Sequence, residues 1–316
     1  MKIAVFGAGG VGGYFGGRLA RAGADVHLIA RGAHLRALRE HGLRVRSVRG
    51  DFEVSPPATD DPADIGACDV VFFCVKAYDT DEAARRLSPL LHRETAVISL
   101  QNGVDNEEKL AAVVGSTHVL PGAAFIFASI GEPGVVVDAG GPGSLVFGEP
   151  DGVATERGQR LLALCKAAGV PAEFVPDIRV RLWAKFVFIC AQAGMTACTR
   201  LPIGEIRATP ASWEMFRRIL AEVAALAAAE DVALPADQVA SIMAFAEALE
   251  PGGFSSLYHD LVGGRRMELE ALHGFVVRRS RHHGLPAPMT EAVYALLKPH
   301  ADAADPSSRR GLSGSG

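Results

Sequence analysis

The stretch Lys2-Ile3-Ala4-Val5-Phe6-Gly7-Ala8-Gly9-Gly10-Val11-Gly12 decides the fold of this chain. Its apolar beginning is typical of a buried strand, and residues 13–20 after the glycines have the pattern of a helix. Gly7, Gly9 and Gly12 fill G-x-G-x-x-G, the turn that joins the first strand and helix of a dinucleotide-binding unit. The first glycine permits the turn, the second lets backbone N–H groups approach a pyrophosphate, and the third lets the helix lie against the strand.

The glycine pattern alone is weak evidence, because the chain has 35 glycines and such a turn also occurs without a nucleotide. Its context is more specific, since it follows one strand-like run and precedes another at residues 25–30. We therefore expect a dinucleotide to be bound by the whole turn, which consists of Gly7, Ala8, Gly9, Gly10, Val11 and Gly12.

Composition indicates a two-domain soluble protein. The chain has 316 residues, of which 49% are hydrophobic and 22% charged. Its net charge of −4 provides no basic surface for nucleic acid or an anionic membrane, so we expect neither partner. The N-terminus enters the first strand without a basic leader, and the apolar stretch 122–128 is too short to span a bilayer. We expect a cytoplasmic location.

The five cysteines lie in apolar surroundings, and none forms a C-x-x-C pair. This distribution is typical of buried thiols in a reducing compartment. We therefore expect neither a disulfide framework nor a metal site.

The first half of the chain alternates between strand and helix patterns, which predicts an α/β fold with a Rossmann doubly wound, mostly parallel sheet. Within the strand-like stretch 69–75, the residues after Asp69 form a continuous apolar run, as in a strand that is covered on both faces. The predicted strands are 2–6, 25–30, 43–48, 69–75, 96–100, 123–129, 144–147 and 172–175, and the predicted helices after residue 20 are 33–41, 79–91, 107–114 and 156–168.

After Pro176 the pattern changes to long helices, which predicts an all-helical C-terminal domain. We expect domains at residues 1–177 and 178–305 and a disordered tail at 306–316. Apolar runs such as 220–229 could pack internally or across a homodimer, and their pattern does not decide between the two. The predicted helices of the second domain are 178–199, 211–230, 235–249, 257–283 and 289–303.

The end of the second strand indicates which cofactor is bound. NAD-selective units place an Asp or Glu there to accept hydrogen bonds from the ribose 2′-hydroxyl, but this chain has Arg31. A guanidinium favours the 2′-phosphate of NADPH, and the alternative is an ordinary surface arginine. Lys76 and Asn102 also follow strands, so we expect Lys76 near the phosphate or ribose and Asn102 nearer the nicotinamide. Either could instead be a simple turn residue.

The combination of motifs resembles the ketopantoate reductase (2-dehydropantoate 2-reductase) family over residues 1 to about 290. Besides the glycine turn, the resemblance rests on four motifs, which are Val75-Lys76-Ala77-Tyr78, Gln101-Asn102-Gly103-Val104, Leu182-Trp183-Ala184-Lys185 and Met267-Glu268-Leu269-Glu270. It implies an enzyme that uses NADPH to reduce the ketone of 2-dehydropantoate to (R)-pantoate, in pantothenate and coenzyme A synthesis. It also implies an active site in the cleft between a Rossmann domain and a helical domain.

The resemblance further implies roles for individual residues. Lys185 matches the catalytic lysine, Glu268 the active-site glutamate, and Ser256 the serine that binds the substrate carboxylate. Asn102 matches the asparagine of the cofactor and substrate cleft, and Arg31 the arginine that selects NADPH. The chemistry agrees independently, because reducing a ketone requires a cation and a proton donor beside its oxygen.

Two of these roles have plain structural alternatives. Lys185 could be an ordinary exposed lysine on a helix. Glu268 could form ion pairs within its own helix, because Arg265 and Arg266 precede it closely and Glu270 follows. The resemblance to the family, aligned on Ser256, favours Glu268 over Glu270 as the active-site carboxylate.

The chain also departs from the family pattern. Ile189, Ala193 and Ile203 stand where family members usually have asparagines that contact the substrate. Gln192 lies about 20° from Lys185 on a helical wheel, so we expect its carboxamide to be a substitute in the pocket, the alternative being that it faces elsewhere. The departures leave two other functions open. One is reduction of a different, more apolar 2-keto acid, and the other is a catalytically weak NADP-binding or sensor protein.

Overall fold

The structure is a computed structural model that describes residues 1–305. The predicted disordered tail at 306–316 lies outside these residues. Contacts between Cα atoms divide the chain into two compact units, unit 1 from Met1 to Arg181 and unit 2 from Leu182 onward. This division falls four residues after the predicted domain boundary at 177–178.

Unit 1 contains the twelve strands of the described residues and five α-helices. The strands are β1 Lys2–Phe6, β2 Asp25–Ile29, β3 Leu43–Ser47, β4 Phe52–Val54, β5 Ala58–Thr59, β6 Val70–Phe73, β7 Ala96–Ser99, β8 Val119–Phe125, β9 Ala128–Glu132, β10 Val135–Asp138, β11 Ser144–Phe147 and β12 Ala172–Phe174. The helices are α1 Gly10–Arg21, α2 Gly32–His41, α3 Thr80–Ala84, α4 Asn106–Val114 and α5 Glu156–Ala167.

The main sheet has eight strands in the order β12-β11-β8-β7-β6-β1-β2-β5. All neighbours in it are parallel except β11 and β8, which are antiparallel. Every residue of β6 and β7 is buried, as the continuous apolar runs predict. Two apolar cores result, one containing Phe15, Phe72 and Phe147, the other Phe6 and Phe73. The predicted doubly wound α/β class is confirmed.

A second, four-stranded sheet in the order β4-β3-β10-β9 was not predicted. The sequence indicates β3 as a strand, but its partner β10 lies about 90 residues later, where glycines obscure the pattern. This sheet packs on α1, where a Cβ at Gly13 would lie 2.7 Å from the Val136 side chain. The predicted strand 123–129 was also wrong, because it divides between β8 and β9.

The predicted helix 79–91 is much shorter in the structure. It begins with a 3₁₀ turn at Ala77–Asp79, continues as α3, and is followed by another 3₁₀ turn at Ser88–Leu90. Pro89 explains the interruption, since proline lacks an N–H and clashes with the preceding helical turn.

Unit 2 is helical throughout its described residues, in agreement with prediction. The long predicted helix 257–283 was wrong, because Gly263 and Gly264 end it early and a π-helical segment, Glu270–Gly274, follows. The short α7 was not predicted. The helices are α6 Ile178–Thr199, which begins in unit 1, α7 Ile203–Ala208, α8 Pro210–Ala229, α9 Gln238–Glu247, α10 Ser256–Val262, α11 Phe275–His282 and α12 Pro288–Ala304.

Two helices bear on the expectations about membranes and dimers. By length and composition α6 could cross a membrane, but 67% of its apolar window is buried inside the protein, as in the core helix of a soluble protein. On α8, Leu220, Val223 and Leu226 are buried, so this apolar run packs within the chain.

Candidate functional site

The glycine turn between β1 and α1 has the shape that a pyrophosphate requires. Gly7 has φ +97°, and a Cβ there would lie 2.9 Å from the Val75 nitrogen. A Cβ at Gly12 would lie 2.8 Å from the Val5 side chain, so only glycine lets α1 approach β1 this closely. At Gly9, by contrast, no described atom beyond its adjoining residues lies within 4 Å of a Cβ position. The turn is therefore closed toward the protein and open at Gly9, which fits a bound pyrophosphate.

Gly10 has a different neighbour. A Cβ there would lie 2.6 Å from the carbonyl carbon of Ala128 and 2.7 Å from the Ser129 nitrogen. Both atoms belong to β9 of the second sheet, which thus covers this side of the glycine turn.

Sheet order brings the predicted cofactor residues of unit 1 to one edge. The strands β7, β6, β1 and β2 are neighbours and parallel, so their carboxyl ends meet there. Lys76 follows β6, Asn102 follows β7, Arg31 caps the start of α2 after β2, and the glycine turn follows β1. This is the edge at which open α/β sheets bind ligands.

Hydrogen bonds join two of these strand ends. The Gln101 Nε2 donates to the Val75 carbonyl at 3.0 Å and to the Thr80 hydroxyl at 2.8 Å. The Asn106 Nδ2 donates to the backbone carbonyl of Asn102 at 2.9 Å. The turns that carry Lys76 and Asn102 are therefore held together by buried side chains.

Arg31 forms an ion pair that the sequence analysis did not anticipate. Its Nη2 lies 2.8 Å from Oδ2 of Asp79, in the 3₁₀ turn after β6. The Arg31 side chain is 65% exposed and the Asp79 side chain 22%. The ion pair thus holds the guanidinium in place while most of the arginine side chain is exposed to solvent.

His34 was also missed, and it links the glycine turn to the second sheet. Its Nε2 lies 2.8 Å from the Ala8 carbonyl, and its Nδ1 accepts a hydrogen bond from the Gly134 N–H at 3.0 Å. Both contacts are made at once only by the neutral ring protonated on Nε2. Burial lowers the pKa of His34, in agreement with that tautomer.

A third residue without a sequence signal is Glu107, in the first turn of α4 and five residues after Asn102. Burial raises its pKa to about 7, so a fraction of this carboxyl group is protonated at neutral pH. Perturbed carboxyl groups are enriched at functional sites, although structural ones occur as well.

In unit 2, the predicted substrate residues of α6 form a stripe along one helix face. Lys185 is half-buried and Gln192 is 5% exposed. Thr196 continues the stripe, and its hydroxyl lies 2.7 Å from the Ser255 hydroxyl. Since Thr196 also donates to the Gln192 carbonyl, Ser255 donates to Thr196 and accepts from the Tyr258 N–H at 3.1 Å. The stripe is therefore connected by a hydrogen bond to the start of α10.

Ser256 is the first residue of α10 and is exposed, while Ser255 before it is the buried N-cap. The Thr196–Ser255 bond thus brings the α6 stripe close to Ser256. Glu268 is 6% exposed and precedes the π-helical segment, a type of irregularity that is frequent at functional sites.

The three residues that replace the family's usual asparagines have low exposure or none. Ile203 is fully buried and Ala193 is 3% exposed, while Ile189 is half-buried. Apolar side chains at these places cannot replace the hydrogen bonds of carboxamides. The carboxamide of Gln192 lies on the same helix as two of them.

The chain matches two family models along most of its length. Residues 3–152 match "Ketopantoate reductase PanE/ApbA", and residues 177–301 match "Ketopantoate reductase PanE/ApbA C terminal".

Individual relatives agree with these matches. The chain is 34% identical to the uncharacterized oxidoreductase YkpB of Bacillus subtilis, over 94% of this chain and 98% of YkpB. It is 33% identical to a 2-dehydropantoate 2-reductase of Archaeoglobus fulgidus, over 94% and 97%. A crystal structure of a PanE/ApbA family ketopantoate reductase from Ralstonia eutropha superposes with a TM-score of 0.88 at 38% identity, covering 96% of this chain and 99% of that one. The chain therefore belongs to the ketopantoate reductase PanE/ApbA family of nicotinamide-dependent oxidoreductases, as its motifs predicted.

Proposed function

We propose that this protein uses NADPH to reduce the ketone of 2-dehydropantoate to (R)-pantoate, a step toward pantothenate and coenzyme A. The observation that carries the proposal is the stripe on α6, which holds Lys185 and Gln192 and is tied through Thr196 to the turn before Ser256. A proton donor, a carboxamide and a hydroxyl suit a substrate that has a ketone, a hydroxyl and a carboxylate. The small-molecule substrate is the partner that this proposal requires, and a cytoplasmic location is consistent with five free thiols.

The cofactor site would lie at the carboxyl edge of the main sheet in unit 1. Backbone N–H groups around the open Gly9 would contact the pyrophosphate, and Arg31 would contact the 2′-phosphate. Lys76 would lie near the phosphate or ribose and Asn102 near the nicotinamide. When bound, NADPH supplies the hydride that the reaction needs.

The residues of unit 2 would direct the chemistry at the substrate. As the ketone carbon is reduced, its oxygen takes a proton from Nζ of Lys185, which water then restores. The positive charge of Lys185 stabilises the developing alkoxide before that transfer. The Ser256 hydroxyl would donate to the substrate carboxylate, while Glu268 and Gln192 would position the rest of the molecule.

A second candidate function is reduction of a more apolar 2-keto acid. Ile203 and Ala193 favour it, because they are buried where the family usually has amides. An unpaired substrate hydroxyl would cost roughly 1–3 kcal/mol of binding free energy. The Gln192 carboxamide is the feature that favours 2-dehydropantoate instead.

The decisive experiment measures NADPH and NADH oxidation with a panel of 2-keto acids, from 2-dehydropantoate to aliphatic and aromatic ones. We expect 2-dehydropantoate to have the highest kcat/KM, and Lys185→Ala to lower kcat by roughly 10²–10⁴-fold without changing cofactor affinity. Lys166→Ala is the matched control, since Lys166 is an exposed lysine on α5. Gln192→Ala should raise KM for 2-dehydropantoate.

Each result has a clear meaning for the proposal. Turnover of apolar keto acids alone would favour the second candidate. Cofactor binding without any turnover would contradict both enzymatic functions and favour a sensor. An unchanged kcat in Lys185→Ala would remove Lys185 as the proton donor.

A further inference from the structure

The ion pair between Arg31 and Asp79 places a carboxylate at the point where the ribose 2′-substituent of a cofactor would bind. Arg31 is the N-cap of α2 and comes two residues after β2, at the position that distinguishes NAD from NADP in this fold. Asp79 reaches the same point from the turn after β6. The strand β1 lies between β6 and β2, so the two side chains come from the ends of strands that are not adjacent. The two side chains are 48 residues apart in sequence and 2.8 Å apart in space.

This pair combines the recognition elements of both cofactors. In NAD-selective units a carboxylate accepts a hydrogen bond from the 2′-hydroxyl, and that carboxylate normally stands at the end of the second strand. Here Ala30 and Arg31 follow the second strand, and Asp79 supplies a carboxylate from the turn after β6. A 2′-phosphate would meet the guanidinium and the carboxylate together.

We propose that Asp79 is a specificity-determining residue that weakens the preference for NADPH set by Arg31, so that the protein also binds NADH. The proposal rests on the cofactor site of the proposed function. Asp79 would accept from the 2′-hydroxyl of NADH and repel the 2′-phosphate of NADPH. Arg31 would supply the opposing attraction for that phosphate.

The competing role for Asp79 is to hold the Arg31 guanidinium in position for a phosphate. Two features favour repulsion over this role. The ion pair joins one guanidinium nitrogen, Nη2, to one carboxylate oxygen, so it uses one of the five N–H donors of Arg31. A phosphate monoester also carries a charge of about −1.5 to −2 at neutral pH, so a nearby carboxylate repels it more strongly than it repels a single charge.

Coulomb's law gives the size of the effect. A carboxylate about 6 Å from such a phosphate, at a dielectric constant between those of a protein surface and water, weakens binding about tenfold. Asp79 also favours phosphate binding by ordering the Arg31 side chain, but this contribution to the binding free energy is smaller than the repulsion. Removing the charge of Asp79 should therefore strengthen NADPH binding on balance.

The test compares the Kd values of NADP⁺ and NAD⁺ for the full-length protein by titration calorimetry, without substrate. Adenosine 2′,5′-bisphosphate and AMP serve as probes that lack the nicotinamide end. Asp79→Asn should raise the ratio of the NAD⁺ Kd to the NADP⁺ Kd about tenfold, with a smaller effect in high salt. Asparagine is also a good N-cap, so α3 should remain folded.

Three further variants complete the design. Asp79→Glu keeps the charge and should keep the ratio of the wild-type protein. Asp81→Asn is the matched control, because it removes the same charge from an exposed residue of α3 that is not paired with Arg31. Arg31→Ala should lower the ratio, since the attraction for the 2′-phosphate is lost.

A ratio that falls, or that rises by less than about threefold in Asp79→Asn, overturns the proposal, as does an equal rise in Asp81→Asn. If neither cofactor binds the wild-type protein, the cofactor site itself is wrong. If keto acids are not turned over but the ratio shifts as expected, only the proposed reaction fails. The two proposals can therefore fail separately.

Discussion

His273 shows how strongly the helical unit can perturb a single residue. It is fully buried in the π-helical segment, and its Nε2 lies 2.9 Å from the Cys190 carbonyl. Its Nδ1 has no hydrogen-bond partner among the described residues. Burial lowers the pKa of His273 to about 4, so the ring is neutral in the folded protein.

The pKa of His273 predicts a loss of stability in acid. The unfolded chain binds a proton at His273 below about pH 6.5 and the folded chain only near pH 4, so stability is complete above pH 6.5 and falls as the pH decreases toward 4. At pH 5 the loss from this residue is about 2 kcal/mol. We expect His273→Asn to lose about that much less than the wild-type protein between pH 7 and pH 5, measured by urea unfolding.

Two comparisons control this measurement. His41→Asn, a change at an exposed histidine of α2, should leave the pH dependence as it is in the wild-type protein. The lowered pKa of His34 contributes to the acid loss of the wild-type protein and of both variants alike. An unchanged slope in His273→Asn would mean that the ring is not desolvated.

At the residue scale, the sequence predicted side chains that belong to local motifs. Arg31, Lys76 and Asn102 lie at strand ends, where the position alone indicates a role. Asp79 and His34 gave no such signal, because their contacts join residues 48 and 100 positions apart. Lys185, Glu268 and Ser256 came from family resemblance, and their catalytic roles stay predictions.

At the scale of elements, neighbouring glycines of the first turn serve different purposes. Gly9 is extended, with φ −75°, and its Cβ position is open. Gly10 begins α1 and packs closely against the backbone of β9. Alanine at Gly9 should fill the space for the pyrophosphate, while alanine at Gly10 must displace β9.

This contrast predicts opposite outcomes for two similar variants. Gly9→Ala should weaken NADP⁺ binding at least tenfold while changing the free energy of unfolding by less than about 0.5 kcal/mol. Gly10→Ala should cost about 1–3 kcal/mol of stability, as overpacking against rigid backbone does. Calorimetric titration and urea unfolding of both variants measure the two effects. If Gly9→Ala binds NADP⁺ like the wild-type protein, the turn does not hold the pyrophosphate.

Elements with strong local patterns were predicted well, and those that depend on distant partners were not. The fully buried β6 and β7 and the long α6 follow from apolar runs and helical periodicity. The second sheet was not predicted from the sequence, because β3 pairs with β10 far along the chain. The break between α10 and α11 was not predicted, because Gly263 and Gly264 interrupt an otherwise helical pattern and such patterns tolerate isolated glycines.

At the scale of the whole molecule, the division into two units predicts where a cofactor acts. Unit 1 contains every residue of the proposed cofactor site, from the glycine turn to Asn102. A ligand that binds only the folded state slows local opening around its site. NADP⁺ should therefore protect amides near residues 7–12, 31 and 76–79 from hydrogen exchange.

Mass spectrometry of exchanged peptides would measure this protection. The Gly9→Ala variant at the same NADP⁺ concentration is the control, and it should show little protection. Unprotected peptides at the glycine turn in the wild-type protein would contradict the assigned cofactor site. The two-domain organisation was predictable because the alternation of strands and helices stops near Pro176, whereas the boundary residue depends on contacts.

The contact between Gly10 and β9 has a consequence for protein engineering. The glycines of a dinucleotide-binding turn ordinarily serve the bound pyrophosphate and the packing of the first helix against the first strand. In this chain Gly10 is constrained instead by the backbone of Ala128, which belongs to a neighbouring sheet. A turn transplanted from another enzyme, with a larger residue at that position, would keep its contacts with the ligand but would clash with the backbone of β9. A successful exchange would have to move β9 together with the turn.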